Sequence, residues 1–364
     1  MLVKAGTNLL TATRDHLDLE LMASLAEQIA VLRQGGVEVA LVTSGAVAAG
    51  RQVLDRGKES RDINFRQVLA AVGQARLMHA YEQLFAQKSI NVAQALLTRG
   101  DLTHRQSYLN VRNTLLTLLE LGVVPIINEN DVVAVEELHE TFGDNDALSA
   151  MVAGLIEADV LIMLSDIGGL YTADPHVSPS ARLIPRVERI DGEVESMAGS
   201  SWSRSGRGGM AAKLDAARLA TTAGVPVIIA DGRERDVLVR LAGGEAMGTY
   251  FSPAVTRLES RKRWMLSGLN AKRAIVVDGG AARALQEQSR SLLPAGVQRV
   301  RGEFQRGDIV AILGPDDARI ACGISNYSAA EVERIKGLRS DRIGEALGCD
   351  YGAEVVHRNN MVVL

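Results

Sequence analysis

Val37-Glu38-Val39-Ala40-Leu41-Val42-Thr43, followed at once by Ser44-Gly45-Ala46, is the stretch that decides the fold. Valine and leucine crowd both parities of the run, so a strand here would be apolar on both faces, as in a parallel sheet covered by helices on either side. Four more runs read as strands, several of them likewise apolar on both faces: Val92 to Thr98, Val123 to Asn128, Val160 to Asp166 and Val225 to Asp231. Between them lie helical patterns, Leu17 to Gln34 with Leu17, Leu21 and Leu25 at i, i+4 spacing, and Arg66 to Gln87. The alternation predicts an α/β fold, a three-layer αβα sandwich on a mainly parallel sheet.

In such a sheet, ligands gather beyond the C-terminal ends of the strands. The polar segments at those ends are Ala5 to Asn8, Ser44 to Ala46, Glu129 to Asp131, and Asp166 to Asp174. Two lysines sit in settings suited to a polyanion. Lys4 ends the apolar run Met1-Leu2-Val3 and enters Ala5-Gly6-Thr7, and Lys213 opens a predicted helix after Gly206-Arg207-Gly208-Gly209-Met210. Amides freed by glycine, a helix N-terminus and an ammonium group together hold phosphate. Ser44 reads equally as an anion contact or as an N-cap beside a space-saving glycine. In Asn128-Glu129-Asn130-Asp131 and Gly143-Asp144-Asn145-Asp146, Asp131 can accept from an ammonium group, and Asn145 can donate and accept. Ser165, Asp166, Tyr171 and Thr172 crowd a glycine-rich turn where a base and ribose could use them. Neither G-x-x-x-x-G-K-[ST] nor G-x-G-x-x-G occurs at a strand end. The six histidines show no ligand spacing and read as structural or surface residues.

The 364 residues exceed one ordinary domain. After residue 250 the texture changes to a basic segment (Arg257, Arg261, Lys262, Arg263) and then to short runs at Ala274 to Asp278, Gln298 to Arg301, Ile309 to Leu313 and Ile320 to Ile324. These predict a catalytic domain over 1–250, a linker over 251–271, a small barrel-like, mostly β domain over 272–350 and a tail over 351–364. Apolar residues at 47% and charged ones at 23% fit a globular chain with a full core. A net charge of -4 argues against coating nucleic acid or anionic membrane. Cys322 and Cys349 form no C-x-x-C pair, which disfavours a zinc site or disulfide framework and suits a reducing cytoplasm.

V-K-A-G-T at 3–7, V-T-S-G-A at 42–46, I-N-E-N-D at 127–131, G-D-N-D at 143–146, S-D-I-G-G-L-Y-T-A-D-P at 165–175 and G-G-M-A-A-K at 208–213 together resemble the amino acid kinase family, and within it the kinases that phosphorylate the γ-carboxylate of L-glutamate. D-G-G-A-A-R-A-L at 278–285, S-L-L-P-A-G-V at 291–297, F-Q-R-G-D at 304–308 and G-I-S-N-Y at 323–327 resemble a PUA domain. The resemblance implies that Lys4 and Lys213 meet the transferring phosphoryl group and that Asp146 holds the lysines. It assigns Ser44, Asp131 and Asn145 to glutamate. To ATP it assigns Lys4, Ser165, Asp166, Arg207, Gly208, Gly209, Met210, Ala211, Ala212 and Lys213. Arg207 stands where many members carry Thr, which places an extra cation near the phosphates.

It further implies ATP as co-substrate with Mg²⁺ on its phosphates, no protein metal cage, a place at the first step of proline biosynthesis and feedback inhibition by proline. A homo-oligomer (dimer or tetramer), functional coupling to glutamate-5-semialdehyde dehydrogenase, a cytoplasmic location and no membrane partner complete the expectation. The rivals are a kinase for aspartate, N-acetylglutamate or carbamate, and an RNA-binding protein acting through the PUA domain. Over residues 272–350 there are 12 Lys and Arg against 11 Asp and Glu, without the basic stripe of an RNA surface.

Overall fold

The computed structural model describes residues 1–13, 16–54, 63–134, 145–198, 209–270, 272–349 and 351–364. Two compact units emerge, one of Met1–Leu102 with Arg112–Arg257 and one of Thr103–Val111 with Leu258–Leu364.

In chain order the strands of the first unit are β1 (Leu2–Ala5), β2 (Thr11–Thr13), β3 (His16–Leu17), β4 (Ala40–Val42), β5 (Val92–Leu97), β6 (Val124–Glu129), β7 (Leu161–Ser165), β8 (Arg186–Val187), β9 (Val227–Asp231) and β10 (Thr249–Phe251). Its helices are α1 (Thr7–Leu10), α2 (Leu19–Gln34), α3 (Ala46–Leu54), α4 (Ile63–Ala86), α5 (Arg99–Thr103), α6 (Arg105–Glu120), α7 (Asn145–Leu155), α8 (Gly192–Ala198), α9 (Met210–Thr222) and α10 (Val237–Ala242), although the end of α5 and the start of α6 belong to the second unit. Eight strands form one sheet in the order β5-β6-β4-β1-β7-β9-β10-β8. Every pairing is parallel except β9 with β10. The five strands expected from sequence are all present. The quoted stretch pairs over Ala40–Val42, shorter than its apolar run, because its register is set by Leu2, Val3 and Lys4 of the four-residue β1.

Strand alternation sorts the side chains into two layers. Val3, Ala5, Val39, Leu41, Val124 and Ile126 pack with α2, α4 and α10 in one buried cluster. The opposite parity puts Leu2 and Lys4 of β1 toward α7 and α9. The same parity rule gives Thr43 and Asn128 to the α4 layer. The strand order also reverses at β1: β4, β6 and β5 lie to one side of it, β7 and β9 to the other. Such a reversal is the topological switch point at which open α/β sheets bind ligands.

The α4 layer depends on a close helix crossing. A Cβ on Gly73 of α4 would lie 1.8 Å from the Ala46 carbonyl oxygen, and one on Gly50 of α3 would lie 1.9 Å from that of Leu69. No side chain fits either position, so the two helices meet backbone to backbone.

The second unit contains α11 (Arg257–Gly268), β11 (Ala274–Val277), α12 (Gly279–Gln288), β12 (Val297–Arg301), β13 (Ile309–Leu313), β14 (Arg319–Ile324), α13 (Ala329–Ile335), α14 (Ile343–Leu347) and β15 (Met361–Val363). Its sheet runs β12-β11-β13-β14-β15. Two segments differ from expectation. Most of the predicted linker is the surface helix α11 that its basic sequence also allows, and Met265 of α11 packs with Leu109, Ile309, Cys322, Ile324 and Val362, with Leu269 just past the helix end against the same cluster. The predicted tail ends as the edge strand β15, with Cys322 opposite Val362, because Met361-Val362 supplies the apolar surface that the sheet lacks on that side. No described helix is long and apolar enough to cross a membrane.

Candidate active site

Lys4 is the pivot. It sits in the central strand, 1% exposed, and its ammonium group meets Asp146 Oδ1 at 2.6 Å. Gly6 closes over it, so that a Cβ there would stand 3.2 Å from Lys4 Nζ. Asp146 lies in the first turn of α7, where the helix dipole favours a carboxylate. Its other oxygen takes Lys213 Nζ at 3.3 Å. One fully buried carboxylate therefore draws together two cations that are 209 residues apart in sequence. Burying two ammonium groups is costly unless each is paired. The charged reaction partners are in turn drawn to the point where both cations meet.

Lys213 belongs to α9, which opens one turn before it, at Met210, rather than at the lysine as the sequence suggested. Gly209 is the N-cap, and no side chain caps the helix. The amides of Met210, Ala211 and Ala212 thus lie in the anion-favouring first turn. Arg207 and Gly208 lie outside the described residues, as do Gly143 and Asp144 of the G-D-N-D motif.

On the β4–β6 side of the switch point stands a chain of amides. Asn145 Nδ2 donates to the Thr43 carbonyl at 2.6 Å, to Ser44 Oγ at 2.9 Å and to Asn128 Oδ1 at 2.8 Å. Asn128 Oδ1 also accepts from the Glu129 amide at 2.9 Å, and Asn128 Nδ2 donates to Gln74 Oε1 at 2.8 Å. Asn145 is 7% exposed, and among the described residues its buried Oδ1 has no hydrogen-bond partner. A buried acceptor left open suits the ammonium group of an amino acid. Asp131 lies half-buried in the turn after β6. That turn is fastened by the Asn130 amide donating to the Leu97 carbonyl and by Gln67 Nε2 donating to that of Val132. Ser44 is buried at the head of α3, next to Gly45, whose φ of +104° holds the turn out of β4.

Beneath Ser44, the Tyr81 hydroxyl of α4 bonds Thr43 Oγ1 at 2.7 Å. Complete burial pushes the tyrosine hydroxyl far above its ordinary pKa, so it stays a neutral hydrogen-bonding group.

On the β7–β9 side, Ser165 is buried at the end of β7 and its Oγ donates to Asp166 Oδ1 at 3.2 Å. Asp166 is exposed, with Asn8 Nδ2 at 3.4 Å. The next strand ends at Asp231, opposite Ser165 in register. The structure therefore brings together Lys4, Lys213 and Asp146 at the centre, Ser44 and Asn145 on one side, and Ser165 and Asp166 on the other. Sequence reasoning passed over Thr43, Gln74, Tyr81 and Asn128. The signal was available in part, because Gln67, Gln74 and Tyr81 recur every seven residues and so line one face of α4.

A buried cation pair at a switch point, with a buried amide cluster on one side and the Gly209-capped start of α9 carrying one of the lysines, fits an α/β phosphotransferase. A model of the amino acid kinase family matches residues 1–231, and a model of the PUA domain matches residues 273–347. The chain belongs to the amino acid kinase family. Across its whole length it is 52% identical to glutamate 5-kinase of Dehalococcoides mccartyi (strain ATCC BAA-2266 / KCTC 15142 / 195), 53% to that of Herpetosiphon aurantiacus and 48% to that of Geobacter sulfurreducens, covering 98%, 97% and 97% of those chains.

Proposed function

We propose that this chain transfers the γ-phosphoryl group of ATP to the γ-carboxylate of L-glutamate, giving γ-glutamyl phosphate and ADP. The observation that carries the reading is the Asp146 clamp, which holds Lys4 and Lys213 together where the strand order reverses. The full-length similarity to glutamate 5-kinases supports the choice of acceptor.

A carboxylate is ionised at pH 7, so the reaction needs no general base. A carboxylate oxygen of glutamate forms the new bond to the γ-phosphorus while the bond to the β,γ-bridging oxygen breaks, and ADP leaves with that electron pair. The barrier is repulsion between two anions. Lys4 and Lys213 offset it, because their ammonium groups are held in place before the charge develops. Asn145 and Asp131 would receive the α-ammonium, with Ser44 completing the acceptor end. Ser165, Asp166 and the first turn of α9 would receive the nucleotide.

Mg²⁺ carried on the ATP phosphates would supply further charge neutralisation. Among the described residues no group of three or more acidic, histidine or cysteine side chains forms a cage for it. Asp146, the carboxylate at the centre, is engaged by both lysines. With both Asp146 oxygens so engaged, Mg²⁺ would be held through the nucleotide and water. The test is ADP release with glutamate, aspartate and N-acetylglutamate. Glutamate alone should support turnover, and a preference for the N-acetylated acid would overturn the acceptor assignment.

A further inference from the structure

We infer that Gln74 is a positioning residue of the acceptor subsite, acting through Asn128 to set the orientation of Asn145. The inference rests on the acceptor assignment above and extends it into helix α4.

The hydrogen-bond chain admits one orientation for each of its amides, fixed at both ends by backbone. At one end the Glu129 amide, a donor, faces Asn128 and requires Oδ1 on that side. Asn128 Nδ2 then faces Gln74, which must present Oε1. At the other end the Thr43 carbonyl, an acceptor, requires Nδ2 of Asn145, and Asn145 Oδ1 is left open. Gln74 Oε1 thus occupies Asn128 Nδ2, so Asn128 keeps Oδ1 toward Asn145. Without Gln74, a buried Asn128 Nδ2 would lose its partner, and the amide would gain a reason to rotate away from Asn145. Among the described residues Gln74 Nε2 is buried without a partner, so nothing competes to turn Gln74 the other way.

The element carrying Gln74 is suited to the task. One heptad before it, Gln67 donates to the Val132 carbonyl in the turn that holds Asp131, and one heptad after it, Tyr81 bonds Thr43. Gly73 beside it lets α4 reach the backbone of α3. A single polar seam on one helix thereby reaches two segments of the acceptor subsite, the end of β6 with the turn that follows it and the residue after β4.

The test compares Gln74→Met, which keeps length and loses the acceptor, with Gln74→Glu, which keeps an acceptor toward Asn128. For Gln74→Met the KM for glutamate should rise about tenfold, the scale of one buried hydrogen bond, while the KM for ATP stays within about twofold. Gln74→Glu should restore most of the loss. In an Asn128→Ala background Gln74→Met should add little, because the path runs through Asn128. Glutamate binding is also read without ATP, as the rise in melting temperature on adding glutamate, and this rise should shrink in Gln74→Met.

An unchanged glutamate KM, an equal rise for ATP and glutamate, or full additivity with Asn128→Ala would overturn the inference while leaving the proposed reaction intact. Absence of any glutamate-induced shift in the wild-type protein would overturn the acceptor assignment and this inference with it. Wild-type glutamate binding without turnover would overturn the reaction alone, since the binding comparison still decides the role of Gln74.

Discussion

Asp146 accepts two ammonium groups through the two oxygens of one carboxylate, and this makes the lysines unequal in what their loss does. Lys4→Ala and Lys213→Ala should each lower kcat by about 100-fold or more, near 3 kcal/mol of transition-state stabilisation. Steady-state kinetics at saturating glutamate and ATP measures it, and near wild-type turnover in either variant would refute the assignment. Lys4 is the more deeply buried, at 1% exposed, and sits closer to the carboxylate. Lys4→Ala should therefore also lower the melting temperature more than Lys213→Ala, because breaking a buried pair strands the remaining charge. Asn145→Ala should chiefly raise the glutamate KM; a raised ATP KM with glutamate unchanged would show that the subsites are exchanged. Tyr81 contributes a pH dependence of known sign. Its pKa in the folded protein is raised above the unfolded value of 10.0, so its effect on stability is constant below pH 10. Above that, the unfolded chain sheds the proton and the folded one does not, and stability falls. Denaturant titrations between pH 9 and 11 should show this fall in the wild type and a weaker one in Tyr81→Phe. Lys4, Lys213, Ser44 and Asn145 stood out in the sequence because charge or glycine marks their surroundings, and the pairing of Asp146 with both lysines, seen in the structure, was implied only by the family resemblance. Asn128 and Gln74 did not stand out, because an uncharged amide in a helix or at a strand end looks like an ordinary polar residue until its partner is known.

At the scale of elements, α4 does two things that its composition conceals. It joins α3 through Gly50 and Gly73, and it carries the seam of Gln67, Gln74 and Tyr81. Gly73→Ala should cost about 3 kcal/mol through overpacking, well above the gain in helix propensity. A urea midpoint within error of wild type would contradict the contact. The central strands were readable from apolar runs because burial on both faces leaves no alternation to misread, and the edge strand β5, only partly buried, was readable from its composition. Helix ends were less so: α9 begins at Met210, after the extended Gly209, and a glycine-rich sequence offers several equivalent places to begin. The basic segment within 251–271 suited either a linker or a surface helix, and it is the helix α11; 351–364 was read as a tail. Their apolar residues, Met265 and Val362, matter only once a distant partner surface exists.

At the scale of the whole molecule, the first turns of α6 belong with the second unit, where Leu109 is fully buried among Met265, Ile309 and Val362. Tyr108 stacks on Trp264 with ring centroids 5.2 Å apart, and Arg105 shares Asp308 with Arg273, both at 2.9 Å. A chain ending at residue 257 retains every residue assigned to catalysis but uncovers Leu109 and Tyr108. It should phosphorylate glutamate and yet aggregate more readily than the full chain, and replacing those two residues with polar ones should restore a monodisperse species. Size-exclusion profiles alongside ADP release measure both; a soluble, monodisperse truncated chain without activity would show that catalysis needs the second unit.

The reversal of strand order at β1 has a stereochemical consequence. The residues proposed for the acceptor lie at β4 and β6 and those proposed for the nucleotide at β7 and α9, on opposite sides of the lysine pair, so the proposed sites would bring the two substrates face to face with no protein group needed to carry the phosphoryl between them. On that arrangement transfer should be a single displacement that needs both substrates together, and a γ-phosphate made chiral with oxygen isotopes should emerge on the product with its handedness inverted; retained handedness would show a phosphorylated protein group between the two substrates.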